Sequence, residues 1–81
     1  MKLEVITVAP EEQRVLMLFD RQRRSPDDNQ ARAYLQQHDL EPKKQYEETR
    51  DAVQYDVYYF GHCYLEGHLE SLTSMASGSS I

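Results

Sequence analysis

His62, Cys63 and His68, with Glu66 and Glu70 beside them, are the cluster in this sequence with metal-ligand chemistry. On an extended chain, side chains of equal parity share a face, so His62, Glu66 and His68 would line up together while Cys63 pointed to the other side. Structural zinc is held by a tetrahedral ligand set drawn from paired short spacings, and no such spacing is present. A site here would need His38 or a second chain to complete it. The plainer reading is a half-exposed histidine pair beside a buried structural thiol, with no metal and no cofactor. Cys63 as a nucleophile meets a further obstacle, because a reactive thiolate wants an electropositive setting and acids flank it instead. Three scattered glycines make no phosphate-cradling loop, and the acidic pairs Glu11-Glu12, Asp27-Asp28 and Glu47-Glu48 fall at expected turns and termini, where charge is ordinarily solvated. With so little room for a preorganised pocket, a non-enzymatic protein is expected.

Arg21, Arg23 and Arg24 form the basic cluster of the chain. It can contact a phosphate or an acidic partner surface, or be spent on water and neighbouring acids such as Asp20, Asp27 and Asp28. Tyrosine is the richer signal: six tyrosines stand in a chain without tryptophan. Tyr58, Phe60, His62 and Tyr64 share one parity, which would set them in a row on the sheet face away from the helix. An aromatic row facing solvent marks an interface, with a second copy or another protein. The alternative is a second small core in which the rings pack under Leu69 and Leu72. Stacking of single-stranded RNA bases on such rings is disfavoured by the acid at Asp56, where aromatic RNA-binding strands carry a basic residue.

These side chains must be positioned by a small framework. Val5, Ile6, Thr7 and Val8 are β-branched in sequence and place a strand over Lys2 to Ala9. Pro10 opens a turn through Gln13, and the apolar run Val15 to Phe19 gives a return strand over Arg14 to Asp20, suited to a central position covered on both faces. A rival helix from Glu11 to Arg24 has strong helix formers but a poor cap in Ala9. Ser25-Pro26-Asp27-Asp28 is a cap, a first-turn proline and two dipole-compatible acids, so a helix begins there. Its packed face is Ala31, Tyr34, Leu35 and His38, and Pro42 ends it near Asp39 or Leu40. Lys44 to Thr49 is expected as a polar edge strand.

From Val53 to Leu65 the pattern alternates with period two, and Val, Tyr and Phe are enriched, as in a strand. Gly61 marks either a bulge or a Gly61-His62 turn between two shorter strands. A helical stripe through Val53, Val57, Phe60 and Tyr64 is the competing pattern. A short helix from about Gly67 to Met75 closes the chain.

The expected fold is α+β: a small antiparallel sheet in β-β-α-β-β order with one packed helix and a short C-terminal helix. One compact domain spans 1–73, with a flexible Ser/Gly-rich tail over 74–81.

The chain has 81 residues, 40% hydrophobic and 28% charged, with fourteen acids against nine bases and a formal charge of −5. That balance opposes attraction to phosphate backbones and anionic lipid, so neither nucleic acid nor membrane is an expected partner. One cysteine closes no intrachain bridge and no apolar run is long enough to span a bilayer, which places the expected protein in the cytoplasm. The resulting expectation is a small acidic protein-binding module, in its sharper form an inhibitor or regulator that covers a basic surface of a nucleic-acid-handling protein. Its contact residues are Tyr58, Phe60, His62, Tyr64, Arg21, Arg23, Arg24, Glu47 and Glu48. The alternatives are a homodimeric accessory protein, or a weak single-stranded RNA-binding or metal-binding domain.

Overall fold

A computed structural model describes residues 1–23 and 26–76. The elements are β1 (Lys2–Ala9), β2 (Glu12–Asp20), α1 (Pro26–Gln37), β3 (Lys44–Arg50), β4 (Val53–Gly61), a 3₁₀ turn (Cys63–Leu65) and α2 (Leu69–Met75). They make one four-stranded antiparallel sheet in the order β1-β2-β4-β3, in the expected α+β class. The run after Pro10 is strand rather than helix, because Val15 to Phe19 have both faces of the sheet to fill and a helix would turn part of the run toward water.

Local chemistry ends each element. The β1–β2 reversal is tighter than expected: Ala9 already pairs with Glu12, and the register shifts between Thr7 and Ala9. Ser25, the expected cap of α1, lies outside the described residues. At the other end Asp39 takes φ 57°, Leu40 N–H returns to the Leu35 carbonyl at 2.8 Å, and Leu40 is buried, a left-handed helix stop three residues before Pro42. Between β3 and β4, Asp51 (φ 49°) and Ala52 (φ 66°) form a two-residue reversal with both dihedrals in the left-handed region.

β4 does not run on to Leu65. Its last pairing to β2 is made by His62 N–H on the Gln13 carbonyl, and the chain then winds through Leu65 N–H to His62 O and His68 N–H to Leu65 O. Neither a bulge nor a hairpin forms at Gly61. The turn carries Leu65 beneath the sheet into the core, a placement that an extended 62–66 segment would forfeit. Gly67, at φ +92°, leads the chain into α2. α2 continues through Ser74 and Met75, and Ala76 is buried, so packed structure passes the boundary drawn at 73; positions 77–81 lie outside the described residues.

Two cores result. Under the helices, Val15, Met17 and Phe19 of β2 meet Phe60, Ala31, Leu35, Leu40, Leu65 and Leu72. On the other face lie Leu16, Leu18, Tyr55 and Val57, flanked by Ile6, Tyr46, Val53 and Tyr59. No described element covers this second face. It is crossed by an ion pair from one sheet edge to the other: Arg50 Nη1 and Nη2 of β3 donate to Glu4 of β1 at 2.6 and 3.2 Å, and Arg50 Nε donates to Glu48. The edges are three strand spacings apart and the registers set Glu4 opposite Lys44, six residues along β3 from Arg50, so the two residues would stand about 25 Å apart on a flat sheet and the face must be cupped for their side chains to meet. The Arg50 hydrogen bonds hold the Glu4 carboxyl below its ordinary value, and Glu4 and Glu48 raise Arg50 in return.

Two outcomes follow from these contacts. Arg50→Ala is expected to cost about 1 kcal/mol, the upper end for a partly exposed pair that salt can screen, read by urea denaturation. Since Glu4 titrates lower when folded, this contribution is full above about pH 4.3 and fades as pH falls through the depressed folded value. Equal acid sensitivity in Glu4→Gln and the parent would contradict the linkage. Separately, Ala52→Gly relieves a left-handed alanine and should stabilise by roughly 0.5–1 kcal/mol, seen as a higher Tm.

Candidate functional site

The register of β2 on β4 decides where the tyrosines go. Val15 pairs with Phe60 and Met17 with Tyr58, so Phe60 and Tyr58 share the face on which α1 and α2 pack. Phe60 is 0% exposed, and Tyr58 meets the Phe19 ring edge-on at 5.0 Å. The row of rings expected on the solvent face is therefore not formed. The parity is right and the face is reversed, and the rings fill a core shared with Leu65, Leu69 and Leu72.

Past Gly61 the remaining members separate. His62 is half-buried and borders a cleft with Cys63, Pro10 and Gln13. Tyr64 is 48% exposed, yet its ring lies parallel to Phe60 at 6.3 Å, and its hydroxyl accepts from Glu41 N–H (3.1 Å) and donates to the Asp39 carbonyl (3.3 Å). It ties the 3₁₀ turn to the loop after α1.

The basic cluster divides as well. Arg21 pairs with Glu47 (2.7 Å) and Asp56 (3.1 Å) across β3 and β4, rather than with Asp20, Asp27 or Asp28. Asp20 instead accepts from the backbone N–H groups of Gln22 and Arg23, fixing the exit from β2. Arg23 borders a cleft of about 490 Å³ with Lys2, Asp28 and Tyr55, and Arg24 lies outside the described residues. Glu47 and Glu48 sit within a strand, on opposite faces, each engaged by an arginine.

The metal-ligand cluster also comes apart. With no strand beyond Gly61, His62, Glu66 and His68 share no face, and Cys63 is exposed on the turn rather than buried. His68 packs instead against α1: its Nδ1 is 2.8 Å from the Tyr34 hydroxyl, and its ring centroid is 5.1 Å from that of His38. Among the described residues, no three His, Cys, Asp or Glu side chains gather where they could hold a metal.

What the sequence reading overlooked is the cupped face. Tyr46, Tyr55 and Tyr59 lie there, each with a cation near its ring: Lys44 at 5.9 Å, Lys2 at 5.4 Å and Arg14 at 6.0 Å. Partial burial, followed by the charge of Glu48, pushes the Tyr46 phenol above its ordinary value. The signal was available in the alternation Tyr55, Val57, Tyr59, which is as strong as that of Tyr58 and Phe60. Only the choice of inward parity was missing. The carboxylates Glu4 and Glu48 are already matched by Arg50, and Glu12 by Arg14, so the face is aromatic with its ion pairs largely closed among its own residues. Such a surface can grip another protein by area and shape.

No protein-family model, curated protein or solved structure matches the chain. No helix among the described residues is long and apolar enough to cross a membrane.

The reversed face has a measurable consequence. Phe60→Ala should lower stability by about 3–5 kcal/mol, as for a fully buried aromatic, whereas Tyr59→Ala on the cupped face should cost markedly less. Comparable, small losses in urea denaturation would return Phe60 to the surface.

Proposed function

We propose that this chain is a small, acidic, non-enzymatic protein-binding module. The observation that carries the reading is the cupped sheet face. Both helices lie on the opposite side, so the partly exposed Tyr46, Tyr59, Ile6 and Val53 rest on the sheet and on buried Tyr55, and are covered by no described element. Tyrosines held on a strand offer large contact area with little entropy left to lose, which suits recognition of a protein surface.

The sharper form is an inhibitor or regulator that occupies a basic surface of a nucleic-acid-handling protein. It is supported by the net charge of −5 and by how the arginines are used: Arg14, Arg21 and Arg50 are engaged by the chain's own carboxylates, while Asp39, Glu41, Glu66 and Glu70 are exposed around the 3₁₀ turn and α2. Carboxylates presented where phosphates would sit compete for the same cations.

Self-association is a second reading, favoured by the contrast between the sheet edges. β3 carries Lys44, Glu47, Glu48 and Arg50, which discourage further strand pairing. β1 presents the uncharged run Val5-Ile6-Thr7-Val8, with Val5 48% and Val8 47% exposed. A second copy could pair there.

The test combines light scattering of the purified chain with capture of partners by the parent and by Tyr46→Ala/Tyr59→Ala. A stoichiometric partner lost in the double variant, with Tm nearly unchanged, supports the cupped face. Weakening by rising salt supports the basic-surface form. A dimer abolished by Val5→Lys supports the edge. A strict monomer whose captured proteins are the same with and without the tyrosines would overturn the proposal.

A further inference from the structure

We propose that His38 and His68 form a two-imidazole site for a divalent transition-metal ion, zinc in the first instance, with Tyr34 as the positioning residue for His68. His38 follows the last residue of α1 and His68 immediately precedes α2, so the site exists only where the two helices dock. Their ring centroids stand 5.1 Å apart. Two imidazoles on a tetrahedral ion, with metal–nitrogen bonds of about 2.0–2.1 Å, have centroids about 5 Å apart, and the centroid separation of this pair matches that figure.

Tyr34 supplies the second observation. Its hydroxyl lies 2.8 Å from His68 Nδ1, and its ring packs at 4.2 Å from His38 and 5.7 Å from His68. A neutral imidazole has one donor and one acceptor nitrogen. In the tautomer that donates Nδ1–H to the Tyr34 oxygen, the Nε2 lone pair is left for the metal, and ligating histidines are commonly held through such a bond at the other nitrogen.

His38 is exposed and His68 half-buried, so an ion has access from solvent. No third protein donor of the His, Cys, Asp or Glu type joins the pair among the described residues, which leaves the remaining positions to water. Imidazole selects zinc, copper and nickel over magnesium and calcium, which prefer oxygen. Binding would clamp α2 onto α1, because one ligand sits at each helix.

Zinc chloride titrated calorimetrically into chelator-treated protein tests this. The chain carries no histidine tag and has Cys63→Ser, which removes the exposed thiol as a competing ligand. The expected result is one ion per chain, a Tm raised by several degrees, and no heat from magnesium chloride. His38→Gln and His68→Gln should each weaken binding by about tenfold or more, Tyr34→Phe by about tenfold, and His62→Gln not at all. Because His38 is exposed, its variant carries the test even where loss of the Tyr34 bond loosens α2 in His68→Gln. Absence of zinc binding overturns the proposal, as does an affinity unchanged in His38→Gln or lost in His62→Gln.

Discussion

Five consecutive apolar side chains on β2, Val15 to Phe19, are all buried, and the remainder of the molecule is arranged around that demand. A pleated strand sends neighbours to opposite faces, so this run asks for cover on both sides of a sheet that a short chain can cover with helices only once. Val15, Met17 and Phe19 receive α1, the 3₁₀ turn and α2. Leu16 and Leu18 receive neighbouring strands whose own side chains fold inward, with Arg50 reaching Glu4 from one edge to the other. The two halves of one strand are thus protected by different means, and the contrast separates the stable side of the protein from its available side.

The same asymmetry organises the surface chemistry. On the helix side, aromatic side chains pack against one another and against the histidines: Tyr58 on Phe19, Tyr64 against Phe60, and Tyr34 beside His38 and His68. On the cupped side, tyrosines and cations alternate without a helix above them. Charge is managed locally in both regions, since arginines bridge strands and leave the excess negative charge toward the loops.

Much of the framework was legible because local and long-range preferences agree. Val5 to Val8, the Pro26-Asp27-Asp28 start and the alternation after Val53 each specify an element that packing then rewards. Two kinds of information were not local. The inward face of β4 is fixed by its register on β2, and a partner buried on both faces gives no parity clue, so Tyr58 and Phe60 were exchanged for Tyr55 and Tyr59. The end of β4 is fixed by Leu65, whose burial beneath Phe60 and Leu72 outweighs the continued alternation through Cys63 and Leu65. The ion pairs of Arg21 and Arg50 join residues far apart in sequence, and spacing could not foretell them.

A cover built from side chains differs in kind from one built from helices. To uncover Phe60, α2 must leave the body of the protein and take its backbone hydrogen bonds with it. On the cupped side the Arg50–Glu4 pair can part by rotation about its own side-chain bonds, a motion of picoseconds to nanoseconds that forfeits about 1 kcal/mol or less, while Leu16, Leu18 and Val57 stay packed among Ile6, Tyr46, Val53 and Tyr59. One side of the sheet is therefore tied down by backbone and the other only by side chains, so the two differ in how much of the fold must move before their surfaces change shape.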